Sequence, residues 1–154
     1  GGHMYAAGMT LKPENYQNFK KAFEKVVEST IHPDLLIPEI SVDLEIKFSA
    51  INEKFMRILK QFEPFGPENM TPVFMSENVV DSGYAKTLGN DAEHLKVFVK
   101  QNDSPNFNAI GFGLGKKLDV VKNKQPFDAV YIVEENEWNG KVSLQLQLRD
   151  IRAK

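Results

Sequence analysis

The chain has 154 residues, of which 42% are hydrophobic and 26% charged, a balance that suits one well-cored globular domain with or without a small appendage. The lack of cysteine excludes a disulfide framework, a thiolate metal site and a thiol nucleophile, and sits comfortably with a cytoplasmic location. A formal charge of -2 excludes a broadly basic body, so any nucleic-acid surface has to be a local stripe, and no apolar run approaches the ~20 residues that would imply a membrane partner.

At the start of the chain, Gly1-Gly2-His3 followed by Ala6-Ala7-Gly8 reads as a phosphate cradle. Glycines let backbone N–H groups approach an anion, and His3 supplies a further donor. Gly1 to Met4 also reads as a tag remnant, although the continuation from Tyr5 is not tag-like. From Pro13 to about Ser29, the residues Tyr16, Phe19, Phe23, Val26 and Val27 form one helical stripe. Pro13 suits the first turn, Glu14 favours the positive helix end, and Thr30-Ile31-His32-Pro33 stops the helix. Residues 41–48 alternate, with Val42, Leu44, Ile46 and Phe48 on one side, and predict a half-buried strand. Ser49 is the expected cap of a second helix whose stripe is Ile51, Phe55, Ile58, Leu59 and Phe62.

Beyond residue 70 the pattern becomes strand-like. Runs beginning at Val73, His94, Phe107, Phe127 and Lys141 predict five short strands, enough for a small closed or partly closed barrel. Lys116 to Asp119 is expected to give a short helical connection between the third and fourth strands. Asn139-Gly140 is the strongest short-range hairpin signal in the chain. In the last strand Val142, Leu144, Leu146 and Leu148 are expected to face inward.

Candidate chemistry is sparse. His3, His32 and His94 are far apart, and none has a partner at metal-ligand spacing. His32 reads as a loop residue that ends a helix, and His94 as a surface residue. No Gly-x-Ser-x-Gly elbow is present. Gly111 to Gly115 reads as a bent strand and turn, not a nucleotide loop. No catalytic residue and no metal site are therefore expected within these residues. Binding residues are the remaining candidates: Lys96 and Lys100 on the outward face of the second strand, Lys116, Lys117, Lys122 and Lys124 around the third-to-fourth connection, and Lys141 and Arg149 on the last strand. With Phe98, Phe112, Tyr131 or Trp138 nearby, such a face suits single strands, through phosphate contacts and base stacking. The alternative is that the lysines solvate the exterior and the aromatics fill the core. Trp138 either stacks a base or folds back over the barrel, with packing favoured.

Three stretches carry a resemblance: residues 1–23, residues 59–74 (LKQFEPFGPENMTPVF) and residues 135–152 (ENEWNGKVSLQLQLRDIR). The first resembles the glycine-glycine-histidine signature of the DHH-associated domain. The second resembles the linker, and the third the final OB-fold hairpin, of the RecJ family of bacterial single-stranded-DNA-specific exonucleases. The resemblance spans essentially the whole chain and implies an α+β fold: a five-stranded OB-type β-barrel preceded by a partial DHH-associated α/β segment and a linker helix. The implied divisions are residues 1–48, 49–70 and 71–154. The chain would then be a truncation that begins within a motif. The resemblance also implies 5′-to-3′ hydrolysis of single-stranded DNA by the full enzyme, with manganese or magnesium held by an N-terminal domain absent here. Gly1, Gly2 and His3 would line the catalytic cleft and meet substrate phosphate. Lys96, Lys100, Lys116, Lys117, Lys141, Arg149 and Trp138 would belong to the barrel's nucleic-acid surface. Single-stranded DNA, a single-stranded-DNA-binding protein and a repair helicase are the expected partners. An OB-type protein-interaction module with little DNA binding of its own is the alternative. Glu68-Asn69-Met70 stands where the family commonly shows glycine-asparagine-proline, which leaves the local turn open.

Overall fold

The computed structural model describes residues 2–102, 104–122 and 125–154. Gly1 and Lys124, both candidates from the sequence, lie outside the described residues. Two compact units divide the chain, Gly1–Glu39 and Ile40–Lys154.

In the first unit, β1 (Gly2–His3) and β2 (Ala6–Ala7) pair antiparallel, with Gly2 opposite Ala7 and His3 opposite Ala6. A helical turn at Pro13–Asn15 leads into α1 (Tyr16–Thr30), as the sequence predicts. Proline at the first position has no N–H to lose, and Glu14 complements the helix dipole. Phe19 and Phe23 stack with ring centroids 5.8 Å apart. No residue of α1 is fully buried, and Phe23 and Val26 remain exposed.

The second unit opens with a correction. Alternation over residues 41–48 predicts a half-buried strand, but only β3 (Leu44–Glu45) forms, parallel to Phe74–Met75, and Val42 and Leu44 are exposed. Alternation encodes which side chains share a face and not whether that face meets a partner. Phe48 does enter the core, edge-on to Phe107 at 5.4 Å and to Tyr131 at 5.8 Å. Its N–H donates to Gln101 Oε1 at 2.9 Å, and Gln101 Nε2 donates to the Glu77 carbonyl at 2.6 Å. One amide side chain thus ties the approach segment to the barrel.

The second helix is also corrected. Asn52, not Ser49, caps α2 (Glu53–Leu59), accepting from the Phe55 N–H at 3.0 Å. With this later start the buried face is Met56 and Leu59, joined by Ile51, while Ile58 and Phe62 are exposed. Next, Gly66 and Asn69 exchange backbone hydrogen bonds of 2.9 and 3.0 Å across Pro67-Glu68. Glu68 holds φ at 66° there, a left-handed value that costs a non-glycine residue about 1–2 kcal/mol. The turn forms although residue 68 is not glycine. Asn69 Nδ2 fastens it by donating to the carbonyls of Phe62 and Pro64 at 2.8 and 2.9 Å.

The remaining elements are β4 (Phe74–Asp81), β5 (Lys86–Leu88), β6 (His94–Lys100), β7 (Phe107–Gly111), α3 (Leu118–Lys122), β8 (Phe127–Trp138) and β9 (Lys141–Ala153). The sheet order is β3-β4-β8-β9-β7-β6-β5, and a further β4–β6 pairing closes five strands into a ring. Around that ring every pairing is antiparallel except β7–β9. A register shift between Ser76 and Val79 lets β4 bend and pair with β8 at one end and β6 at the other. All five predicted strands are present. β5 is an addition: three residues are too few to declare a period.

Inside the ring, Val79, Leu95, Val97, Val99, Phe127 and Leu146 are almost wholly buried. One polar chain crosses this core: Tyr131 O–H and Ser76 Oγ lie 2.7 Å apart, and Ser76 Oγ donates to the Ile46 carbonyl at 2.6 Å. Burial pushes the Tyr131 phenol well above its ordinary value of 10.0, so it stays a neutral donor. The helical connection expected at residues 116–119 begins at Gly115. A Cβ on Gly115 would lie 1.9 Å from the Ala92 carbonyl oxygen, so only glycine permits this close approach.

Candidate nucleic-acid interface

The ladder registers place one set of side chains on a single outward face. Lys86 lies opposite Lys96, Lys96 opposite Ile110, Phe98 opposite Asn108, and Asn108 opposite Gln145. On β8 and β9, Asn136 lies opposite Ser143 and Trp138 opposite Lys141. Two adjoining clefts result. One, of about 470 Å³, is lined by Tyr84, Lys86, Lys96, Phe98 and Asn108 among others. Its neighbour, of about 500 Å³, is lined by Lys96, Asn108, Asn136, Trp138, Lys141 and Ser143. Lys96 and Asn108 belong to both.

Local chemistry explains how these side chains are held. Buried Asp81 accepts from the backbone N–H groups of Gly83 at 2.8 Å and Ala85 at 3.3 Å, fixing the loop that carries Tyr84. Tyr84 then meets Phe98 edge-on, with centroids 6.3 Å apart and planes at 88°, yet stays 73% exposed. At the other end, Asn139 and Gly140 take φ of 50° and 73°, as the predicted two-residue hairpin requires. Trp138, beside that turn, is 73% exposed. The expectation that it packs over the barrel is therefore corrected: β8 and β9 run past the core, and Val142, expected to face in, is exposed for the same reason. Leu146 and Leu148 keep their predicted inward place.

Of the residues singled out from sequence, Lys96, Lys141 and Trp138 come together here. Lys100 shares the exposed face of β6 with Lys96 but lies four residues on, about 13 Å along the strand, opposite Val80. Lys116 is exposed on the Gly115–Lys117 turn. Lys117 Nζ donates to the Ile151 carbonyl at 3.0 Å and pairs with Asp150 Oδ1 at 3.0 Å. Arg149 sits at the β9 bulge, between the pairings of Leu148 with Tyr131 and Asp150 with Val130. None of these four lines either cleft. Tyr131, an aromatic candidate, is a core residue. Phe112 is exposed and rests edge-on against His94 at 5.3 Å, and the Gly113 N–H donates to His94 Nδ1 at 3.2 Å. Gly2 and His3 stand exposed on β1, in the first unit.

Tyr84, Lys86, Asn108 and Asn136 escape a sequence reading. The weak signal for the first two was an aromatic and a lysine two residues apart after a Ser82-Gly83 turn. Among the described residues, no ion pair involves Lys86, Lys96 or Lys141. At the closing seam of the barrel, three cations are tied to carboxylates, Lys117 among them. Arg152 donates to Asp128 Oδ2 at 2.9 Å, and Lys154 stands 3.2 Å from Asp128 Oδ1 and 3.1 Å from Glu77 Oε2. Burial raises the Asp128 carboxyl pKa, but Arg152, Lys154 and the Asn78 backbone N–H outweigh it and hold the group below its ordinary 3.8. No three His, Asp or Glu residues converge as a metal site among the described residues.

Numbering the ring strands β4, β6, β7, β8, β9 as one to five gives the closed order 1-2-3-5-4-1, with strands three and five parallel and a helix between three and four. That is an OB-type barrel, whose strand-two and strand-three face and flanking hairpins take oligonucleotides in other members of the class. The RecJ OB domain family matches residues 42–150, and the chain belongs to it. The chain is 29% identical over 150 residues to the single-stranded-DNA-specific exonuclease RecJ of Bacillus subtilis, covering 97% of this chain and 19% of that protein. With the Escherichia coli protein of the same name it shares 25% identity over 155 residues, covering 98% and 26%. A crystal structure of RecJ in complex with Mn2+ from Thermus thermophilus superposes with a TM-score of 0.72 at 23% identity, covering 100% of this chain and 22% of that one. The chain thus spans about a fifth to a quarter of the length of these relatives. No helix among the described residues is long and apolar enough to cross a membrane.

Proposed function

We propose that this chain is the C-terminal portion of a 5′-to-3′ single-stranded-DNA exonuclease acting in DNA repair and recombination. In this reading the barrel binds and guides the strand, and residues outside the chain hold the catalytic manganese or magnesium. The observation that carries it is the convergence of Tyr84, Phe98 and Trp138 with Lys86, Lys96 and Lys141 on one outward face. Exposed rings offer stacking platforms that tolerate any base, and free ammonium groups offer phosphate contacts. The N-terminal unit, with Gly1, Gly2 and His3, belongs in this reading to the wall of the catalytic cleft. Packing imposes no demand for glycine at Gly2, since a Cβ there would meet only ordinary contacts from 3.4 Å outward. A glycine not required by packing there is in keeping with a close phosphate.

Trp138 is the only tryptophan, so intrinsic fluorescence reports directly on the site. Addition of single-stranded oligothymidylate is expected to quench it. With three free lysines, log K should fall against log salt with a slope of about -2, at roughly 0.7 per phosphate contact. The chain alone should cleave nothing with manganese added. No quenching and no retention of oligonucleotide at low salt would remove the reading.

A second reading rests on the other side of the β8–β9 hairpin. There Met56, Val142 and Leu144 join Arg57, Lys60 and Glu135 around a cleft of about 400 Å³. A mixed apolar and charged surface of this kind suits a protein partner, such as a single-stranded-DNA-binding protein or a repair helicase. Binding of such a partner that survives Trp138→Ala and is lost with Val142→Glu would favour it.

A further inference from the structure

Lys86 and Lys96 lie directly opposite on antiparallel strands. At such positions the Cβ atoms are about 4.5–5.5 Å apart, and like charges there destabilise the ladder. No carboxylate relieves them among the described ion pairs, although the Lys117, Arg152 and Lys154 cations of the same barrel all have one. β5, which carries Lys86, is three residues long and pairs only with β6. So short a strand gains nothing in stability from an unrelieved repulsion. An anion seated between the two ammonium groups would turn it into attraction.

Beside the pair is an aromatic cleft. Phe98 is two residues from Lys96 on the same face of β6, with Tyr84 standing edge-on above it. Asn108 lies opposite Phe98 and lines the same cleft; its carboxamide offers both a donor and an acceptor. The cleft's volume of about 470 Å³ falls within the ~300–1,000 Å³ usual for ligand sites. We propose that these residues form one nucleotide subsite: a single backbone phosphate bridges Lys86 and Lys96, and the adjoining base lies on Phe98 with its edge toward Asn108. The subsite rests on the reading of this face as strand-binding, and it sets the register of the strand on the barrel.

The test uses the whole chain, an oligothymidylate of about 12 nucleotides, and the variants Lys86→Gln, Lys96→Gln and the pair. Without DNA, each single variant should melt about 1–4 °C higher, since a repulsion is gone. With DNA, each should bind about three- to tenfold more weakly at low salt. The double variant should lose less than the product of the two single losses, because both lysines serve one phosphate. Melting points that stay the same or fall, or losses that multiply, would overturn the shared-phosphate subsite. Wild-type binding with unchanged binding in all variants would overturn the subsite alone, whereas absence of wild-type binding would overturn the strand-binding reading as well.

Discussion

Two regions of one barrel use the same kinds of cation for opposite ends. At the seam where β9 closes on β8 and β4, Lys117, Arg152 and Lys154 each face a carboxylate within 3.2 Å, and the shared Asp128 is buried. Those charges fasten the last strand. On the outward face of β5, β6 and the β8–β9 hairpin, Lys86, Lys96 and Lys141 have no such partner among the described ion pairs, and exposed aromatic rings stand beside them. A lysine already neutralised by a carboxylate has little left to offer a phosphate. What marks the outward face is the coincidence of unpaired lysines with exposed rings, since Lys100, Lys116 and Arg149 also lack an ion pair among the described residues but line neither cleft.

The contrast can be broken from either side. The largest expected effect is at Trp138: removal of its ring by Trp138→Ala should weaken single-stranded DNA binding about 5- to 150-fold, the ~1–3 kcal/mol of one stacked base. Its exposure means that stability should move by no more than about 0.5 kcal/mol, which thermal melting checks. Ser76→Ala should do the reverse. It leaves the buried Tyr131 hydroxyl and the partly buried Ile46 carbonyl without their shared partner, costing about 1–3 kcal/mol in a denaturant titration. Binding per folded molecule should not change.

The seam should answer to acid. Because Asp128 is held below its ordinary 3.8 in the folded chain, its ion pairs stabilise the fold fully above that value. Their contribution is lost as pH falls through the lower folded value. The melting-temperature gap between wild type and Asp128→Asn should therefore be widest near neutrality and close in acid. A gap that stays constant would remove Asp128 from the fastening. The smallest effect belongs to Lys117→Gln: at most about 1 kcal/mol of stability, as for other surface pairs. The salt slope of DNA binding should be untouched, whereas a change would place Lys117 on the strand's path.

Much of this fold is written in local pattern. Pro13 and Glu14 mark the first helix, Asn139-Gly140 the last hairpin, and the period of two in Leu146 and Leu148 the inward side of β9. The failures of alternation share one cause. Val42, Leu44 and Val142 alternate correctly and still face solvent, because alternation fixes a side and not a neighbour. Ser49 lost the cap to Asn52 because the chain enters the core through Phe48 and Ile51 before the helix begins. At the candidate site, Lys96, Lys141 and Trp138 were visible as a cation-and-aromatic set. Tyr84 and Lys86 were not, since a three-residue strand carries no periodic signature and owes its existence to β6.

The order of residues alone determined where the chain turns, which side chains share a face, and the family likeness of its glycine-rich and hairpin motifs. Tertiary structure alone decided which cations found carboxylates and which were left to face solvent beside aromatic rings. The physical reason is range. Turn and strand preferences act over a few bonds, whereas ion pairing joins residues such as Glu77 and Lys154 that only closure of the barrel brings together.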